Sequence, residues 1–241
     1  LIFNYFKDIS PNEDSKKIVL GLNKFEKLRY GENPHQNGAI YTTSKNLGLE
    51  KLNGKQLSYN NYADIFSALQ ISKSFPNNKG TVIVKHGNPC GASIHKNNNE
   101  SFLMAHKCDP ISSFGGIVSC NFKINRSLAL KLNKLFFEVI IGNDFEKDAL
   151  SILKTKKNVR IIKSKDYEIF SKNNLISNMH FALAQTPDDK KFTISDFKIV
   201  SKVRPSRETF ENLIFAFNVC RFVKSNAIVL TNEKSTVGIG S

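Results

Sequence analysis

No run of apolar residues in this 241-residue chain approaches the ~18 that a membrane-crossing helix needs. The first residues, Leu1-Ile2-Phe3-Asn4-Tyr5-Phe6, show no basic start and no small-residue cleavage site, so no secretory signal is read there. No initiating Met precedes them, which leads to the expectation of a fragment or processed piece. The four cysteines, Cys90, Cys108, Cys120 and Cys220, never stand at Cys-x-x-Cys spacing, which argues against a zinc ribbon. Scattered thiols without a secretion signal predict a reduced, cytoplasmic protein. No basic-aromatic stripe or arginine-rich helix marks a nucleic-acid face. Gly115-Gly116 lead into Ile117-Val118-Ser119, not into Gly-Lys-Ser/Thr and a helix, which excludes a phosphate P-loop. No internal repeat is visible.

What is present is ordinary for a globular protein: 40% hydrophobic and 23% charged residues, in a length that suits one large domain or two small ones. The net charge is +14 and the pI about 9.6. That excess fits a nucleic-acid binder or a site for small anions. The cations are dispersed (Lys16-Lys17, Lys154, Lys156-Lys157, Lys190-Lys191), so the expectation is no nucleic acid and no membrane.

The most informative stretch is Val82-Ile83-Val84-Lys85-His86-Gly87-Asn88-Pro89-Cys90-Gly91-Ala92. Three β-branched residues make a short buried strand, and the following Gly-Asn-Pro-Cys-Gly reads as a turn. In an open α/β sheet such a strand delivers polar groups to the carboxyl edge, where ligands usually bind. Neighbouring strand residues face opposite sides, so Lys85 and His86 share a pocket only if regular strand ends near Lys85. Otherwise they are a solvated basic loop. Upstream, Leu28-Arg29-Tyr30-Gly31-Glu32-Asn33-Pro34-His35-Gln36 precedes a strand at Ala39–Tyr41. Arg29 offers a planar fork for phosphate or carboxylate, although a plain surface loop reads equally well. Gly54–Asp64 leads into an amphipathic helix carrying Ile65, Phe66 and Leu69, with Asn60, Asn61 and Asp64 near its start, where capping is expected.

From Phe102 onward helices and strands alternate: helix at 102–106, strand at 117–119, helix at 126–135, strand at 137–141, helix at 145–154, strand at 159–162. This pattern predicts βαβ units and a mostly parallel sheet. Further strands are predicted at 180–184 and 197–200. The longest helix is predicted at 206–224, with Phe210, Leu213, Ile214 and Phe217 as its core stripe. Strands at 227–230 and 236–239 close the chain, which stops at Gly238-Ile239-Gly240-Ser241 as if mid-loop.

Leu28–Gln36, Gly54–Asp64, Val82–Ala92, Asp109–Gly116, Phe137–Ile141 and Lys224–Leu230 together resemble, in order and spacing, the transformylase domain of the PurH family of bifunctional purine biosynthesis proteins. The resemblance implies a layered α/β/α fold with cytidine-deaminase-like subdomains. It implies residues 1–27 as a connector with a stub of an upstream cyclohydrolase domain, and 28–241 as a transformylase domain cut short at its end, with a subdomain split near 165–195. It implies transfer of a formyl group from 10-formyltetrahydrofolate, a cosubstrate, to 5-amino-4-imidazolecarboxamide ribonucleotide (AICAR), in a homodimer with shared sites and no metal. By position, His86 matches the proton acceptor and Lys85 the transition-state stabiliser. Arg29 and Tyr30 match residues that hold the nucleotide, supplied by the partner subunit. Gly115, Glu138 and Asn226 match further nucleotide contacts, Glu138 standing where other members carry Asp. Two other readings stay open: a basic nucleic-acid-binding domain, and a deaminase-like enzyme without zinc. The latter is weakened because Asn88 and Ser93 stand where a zinc deaminase needs Glu and its second Cys.

Overall fold

The computed structural model describes residues 21–164, 167, 174–177 and 180–241. The expected stub at Asn4–Phe6 lies outside the described residues, as does part of the expected split. Twelve strands and five α-helices are described, with one 3-10 turn at Ile194–Asp196. The organising element is an eight-stranded mixed sheet. Its centre comprises β4 (Gly80–Lys85), β5 (Asn88–Ile94), β6 (Ile117–Ile124), β7 (Val139–Phe145) and β8 (Arg160–Lys163). β3 (Glu50–Asn53) forms one edge, and the hairpin of β11 (Ile228–Asn232) and β12 (Ser235–Gly240) the other. A separate two-stranded ribbon pairs β1 (Asn23–Leu28) with β2 (Gly38–Thr42). Another pairs β9 (Asn174–Ser177) with β10 (Ala182–Gln185).

Helices cover both faces because side chains alternate along each strand. Val82 and Val84, Val139 and Ile141, and Ile162 pack toward α1 (Tyr59–Ser74) and α5 (Arg207–Cys220). Ile83, Val118, Cys120, Ile140 and Ile161 pack toward α2 (Asn98–Cys108), α3 (Arg126–Asn133) and α4 (Lys147–Lys154). The result is the expected α/β/α layering. β5 runs so close to α2 that a Cβ on Gly91 would stand 1.9 Å from the Ala105 carbonyl oxygen, which only glycine avoids.

The strand directions differ from expectation. β6, β7 and β8 run parallel to one another, whereas β4 is antiparallel to both β5 and β6. The reason lies at residues 86–87. His86 and Gly87 both have positive φ, +54° and +77°, the geometry of a two-residue hairpin turn. The Asn-Pro-Cys-Gly stretch read as a turn is therefore a returning strand. Pro89 fits the ladder because the register shifts there, Ile83 facing Gly91 and Val84 facing Pro89, with Cys90 as the extra residue.

Three further expectations are corrected. β1 begins at Asn23, inside the stretch read as connector. The strand expected at 197–200 is absent: a 3-10 turn capped by Thr193 and Asp196 stops before it, and Phe197 packs edge-on against Phe210 and Phe217. On α5 the core residues are Phe215 and Val219, whereas Leu213 is 53% and Phe217 40% exposed. The helix carries apolar residues on more than one stripe, so the 3, 4 and 7 spacing of Phe210, Leu213, Ile214 and Phe217 pointed to one that is not the buried one. No helix among the described residues is long and apolar enough to cross a membrane.

Candidate active site

β4 ends at Lys85, beside the start of β6. Because the two are antiparallel, the end of β4 meets the beginnings of β6, β7 and β8. The loop before β6 supplies Gly115, the residue before β7 is Glu138, and β8 opens on Arg160. A cavity of about 510 Å³ lies at this edge, within the size range of small-molecule sites. The carboxyl-edge expectation thus describes β4 alone; the parallel strands contribute their amino ends.

The wall comprises Arg29, Tyr30, Lys55, Gln56, Leu57, Ser58, Asn60, Asn61, Asp64, Lys85, His86, Gly115, Ile117, Glu138 and Arg160. Six of the seven residues singled out in the sequence therefore share one cavity. Asn226, the seventh, is exposed and not part of that wall. Within the single chain, Arg29 and Tyr30 line the same cavity as Lys85 and His86.

Lys85 and His86 reach a common cavity because the strand ends between them. Lys85, the last residue of β4, donates Nζ to the Phe114 carbonyl at 2.8 Å. His86 turns into the left-handed region and is exposed. Gly115 gives its N–H to Phe136 O at 2.9 Å, so any backbone contact it makes with a ligand falls to its carbonyl.

Arg29 and Tyr30 follow β1 and are held by their own pairing. The guanidinium lies over the Tyr30 ring at 4.6 Å from its centroid, and Nη2 donates to the Tyr30 hydroxyl at 2.9 Å. β1 is tied to α1 through Glu26, which accepts from Tyr62 OH at 3.0 Å and Gln56 Nε2 at 3.0 Å. Burial, reinforced by that bond to Glu26, pushes the Tyr62 phenol above its ordinary range. α1 opens with a capping box: Asn61 N–H donates to Ser58 Oγ at 3.1 Å, and Ser58 N–H to Asn61 Oδ1 at 3.2 Å. The free Nδ2 of Asn61 donates to Glu138 Oε2 at 2.9 Å. Arg160 Nη1 approaches the same oxygen at 3.5 Å, and its Nη2 donates to Gln56 O at 3.2 Å.

Four cations, Arg29, Lys55, Lys85 and Arg160, face two carboxylates, Asp64 and Glu138. With the amino end of α1 in the same wall, the cavity favours anions. Its chemistry is that of an anion site with an imidazole and an ammonium at one end. Sequence reasoning missed Arg160 and treated Asn61 and Asp64 as caps. Asn61 is indeed a cap that also reaches Glu138. Nothing local to Arg160 or Asp64 marks them, since their partners lie 22 residues away in both cases.

Comparison with known proteins bears on this geometry. The model of one family, described as AICARFT/IMPCHase bienzyme, matches residues 1–241. The chain belongs to this family. Among curated relatives, the bifunctional purine biosynthesis protein PurH of Caldicellulosiruptor saccharolyticus is 39% identical over 248 residues, covering 100% of this chain and 48% of that protein. PurH of Leptospira biflexa is 40% identical over 242 residues, covering 100% and 47%. PurH of Aquifex aeolicus is 38% identical over 230 residues, covering 94% and 45%. The chain thus spans about half the length of these relatives. The segments around Arg29, Lys85 and Gly115 meet at one cavity of this chain.

Proposed function

We propose that this chain carries the nucleotide-binding and proton-accepting part of an AICAR formyltransferase acting in purine biosynthesis, with 10-formyltetrahydrofolate as the formyl donor. The observation that carries the reading is the convergence of Lys85, His86, Arg29, Tyr30 and Glu138 on one cation-rich cavity in a chain of this family. The 5-amino nitrogen of AICAR attacks the formyl carbon. His86, as a neutral imidazole, takes the proton that the amine must lose. Negative charge gathers on the formyl oxygen and is met by the Lys85 ammonium, a contribution of about 3 kcal/mol if it matches one oxyanion-hole donor. The C–N bond to the folate then breaks, the leaving nitrogen takes the proton, and the products are the formamido nucleotide and tetrahydrofolate. Arg29 receives the phosphate, while the Gly115 carbonyl and Glu138 hold the rest of the nucleotide.

Two copies of the chain share the work, in the cytoplasm. Asn226, outside the cavity of its own chain, contacts the nucleotide held by the other copy. Titration calorimetry tests the reading: AICAR binds this chain, Arg29→Ala weakens binding at least tenfold, and the nucleoside lacking the phosphate loses as much. Equal binding of nucleotide and nucleoside overturns the assignment of Arg29.

A further inference from the structure

The turn that presents Lys85 and His86 is held by groups outside the hairpin. Asp64, in the second turn of α1, accepts from His86 N–H at 3.2 Å and from Gly87 N–H at 2.7 Å. Ser67, one residue short of a further turn along, donates Oγ to Gly87 O at 3.2 Å. Lys224, from the segment between α5 and β11, donates Nζ to His86 O at 3.0 Å, and its backbone N–H donates to Asn88 Oδ1 at 3.1 Å. All four backbone polar groups of the two turn residues therefore have partners from elsewhere in the fold. A φ of +54° is uncommon for a residue with a β-carbon and carries a steric cost, which these partners offset. The φ of His86 also sets the direction of its Cβ, and hence of the ring.

We propose that Asp64 and Lys224 are positioning residues, which lock the His86–Gly87 turn in its left-handed form and so aim the imidazole into the cavity. The proposal rests on the formyl-transfer reading only for what the imidazole does once aimed. A carboxylate suits the first post because its two oxygens take two adjacent N–H groups at once, one each. An ammonium suits the second because it caps a carbonyl that points out of the hairpin.

The test uses the full chain with Asp64→Ala, Asp64→Asn and Lys224→Met. Amide hydrogen exchange at His86 and Gly87 quickens at least tenfold in Asp64→Ala, while the rest of β4 and β5 keeps its protection. In formyl transfer, Asp64→Ala lowers kcat at least tenfold with KM for AICAR changed less than twofold, and Asp64→Asn, which retains one acceptor oxygen, falls between. Lys224→Met, at an exposed position, lowers kcat in the same way by a smaller factor, and it carries the test if Asp64→Ala does not fold. Unchanged exchange at both amides overturns the clamp, whatever the activity. Faster exchange with wild-type kcat overturns the aiming role. A wild-type chain that transfers no formyl group counts against the formyl-transfer reading alone. The aiming role is then decided by the crystal structure of the variant, in which a His86 ring still on the cavity wall overturns it.

Discussion

His86 holds a backbone conformation that costs a residue with a β-carbon about 1 kcal/mol, at φ +54°. Such strain persists where surrounding structure enforces it and function uses it. The two effects separate by substitution. Relative to His86→Ala, His86→Gly is more stable by about 1 kcal/mol, measured by urea unfolding, yet both lower kcat of the proposed formyl transfer about a hundredfold or more. Equal stability of the two variants removes the strain, and wild-type turnover in either removes the base. Lys85→Met lowers kcat about a hundredfold without a comparable loss of nucleotide affinity. At this scale the sequence was legible where cavity residues are contiguous: Lys85-His86 and Arg29-Tyr30 are neighbours in the chain and line one cavity. Glu138 was visible only through its place in a motif, and Arg160 not at all, because its partner is a carboxylate just before the neighbouring strand β7.

Between elements, the junction of α1, β4 and β6 depends on one buried side chain. Asn121 of β6 accepts from Lys79 N–H at 3.0 Å and Gly80 N–H at 2.8 Å through Oδ1. Its Nδ2 donates to Ser72 O at 2.9 Å and Pro76 O at 3.0 Å. These bonds close the end of α1 and start β4, setting how far along the sheet Lys85 ends. Asn121→Ala leaves buried donors and acceptors without partners, so it destabilises by about 3 kcal/mol, read from the urea midpoint at unchanged m-value. A loss under about 1 kcal/mol, the usual net worth of one hydrogen bond, shows that water replaces the amide. Helices and buried strands were readable from periodicity. The returning strand β5 was not, because Asn, Pro, Cys and Gly signal a turn locally while a bulged ladder accepts them. β1 and β3 were missed because their mostly exposed residues carry little alternation.

For the molecule as a whole, the sheet's interior sets an alkaline limit. Cys120, 1% exposed, has its thiol pushed from 9.0 to about 12 by burial, and Cys90 is raised to about 11, chiefly by burial and then by Asp109. Above pH 9 the unfolded chain releases these protons while the native state keeps them. Stability is therefore complete below pH 9 and falls above it, by about 1.4 kcal/mol per pH unit for Cys120. Cys120→Ala flattens that slope in urea unfolding between pH 8 and 10.5, and an unaltered slope refutes the assignment. The proposed sharing of sites between two copies is tested by mixing inactive variants. Under that proposal, Lys85→Met mixed with Asn226→Ala recovers one intact site of two, and no recovery refutes sharing through Asn226. Lys85→Met mixed with Arg29→Ala decides whether Arg29 serves the cavity of its own chain, whose wall it lines: no recovery supports that assignment, and recovery assigns it to the other copy. The sequence by itself determined where the central strands and most helices lie, which neighbouring polar residues meet at the cavity and which family the motifs resemble. These are local properties, written in side-chain alternation and in runs of neighbouring residues. Only the tertiary structure decided the direction of the strands, the meeting of one strand's end with three strands' beginnings, and the partnership of Asp64 with the His86 turn. Those depend on which elements cover each other's apolar faces, and a contact 22 residues away along the chain leaves no local pattern to read.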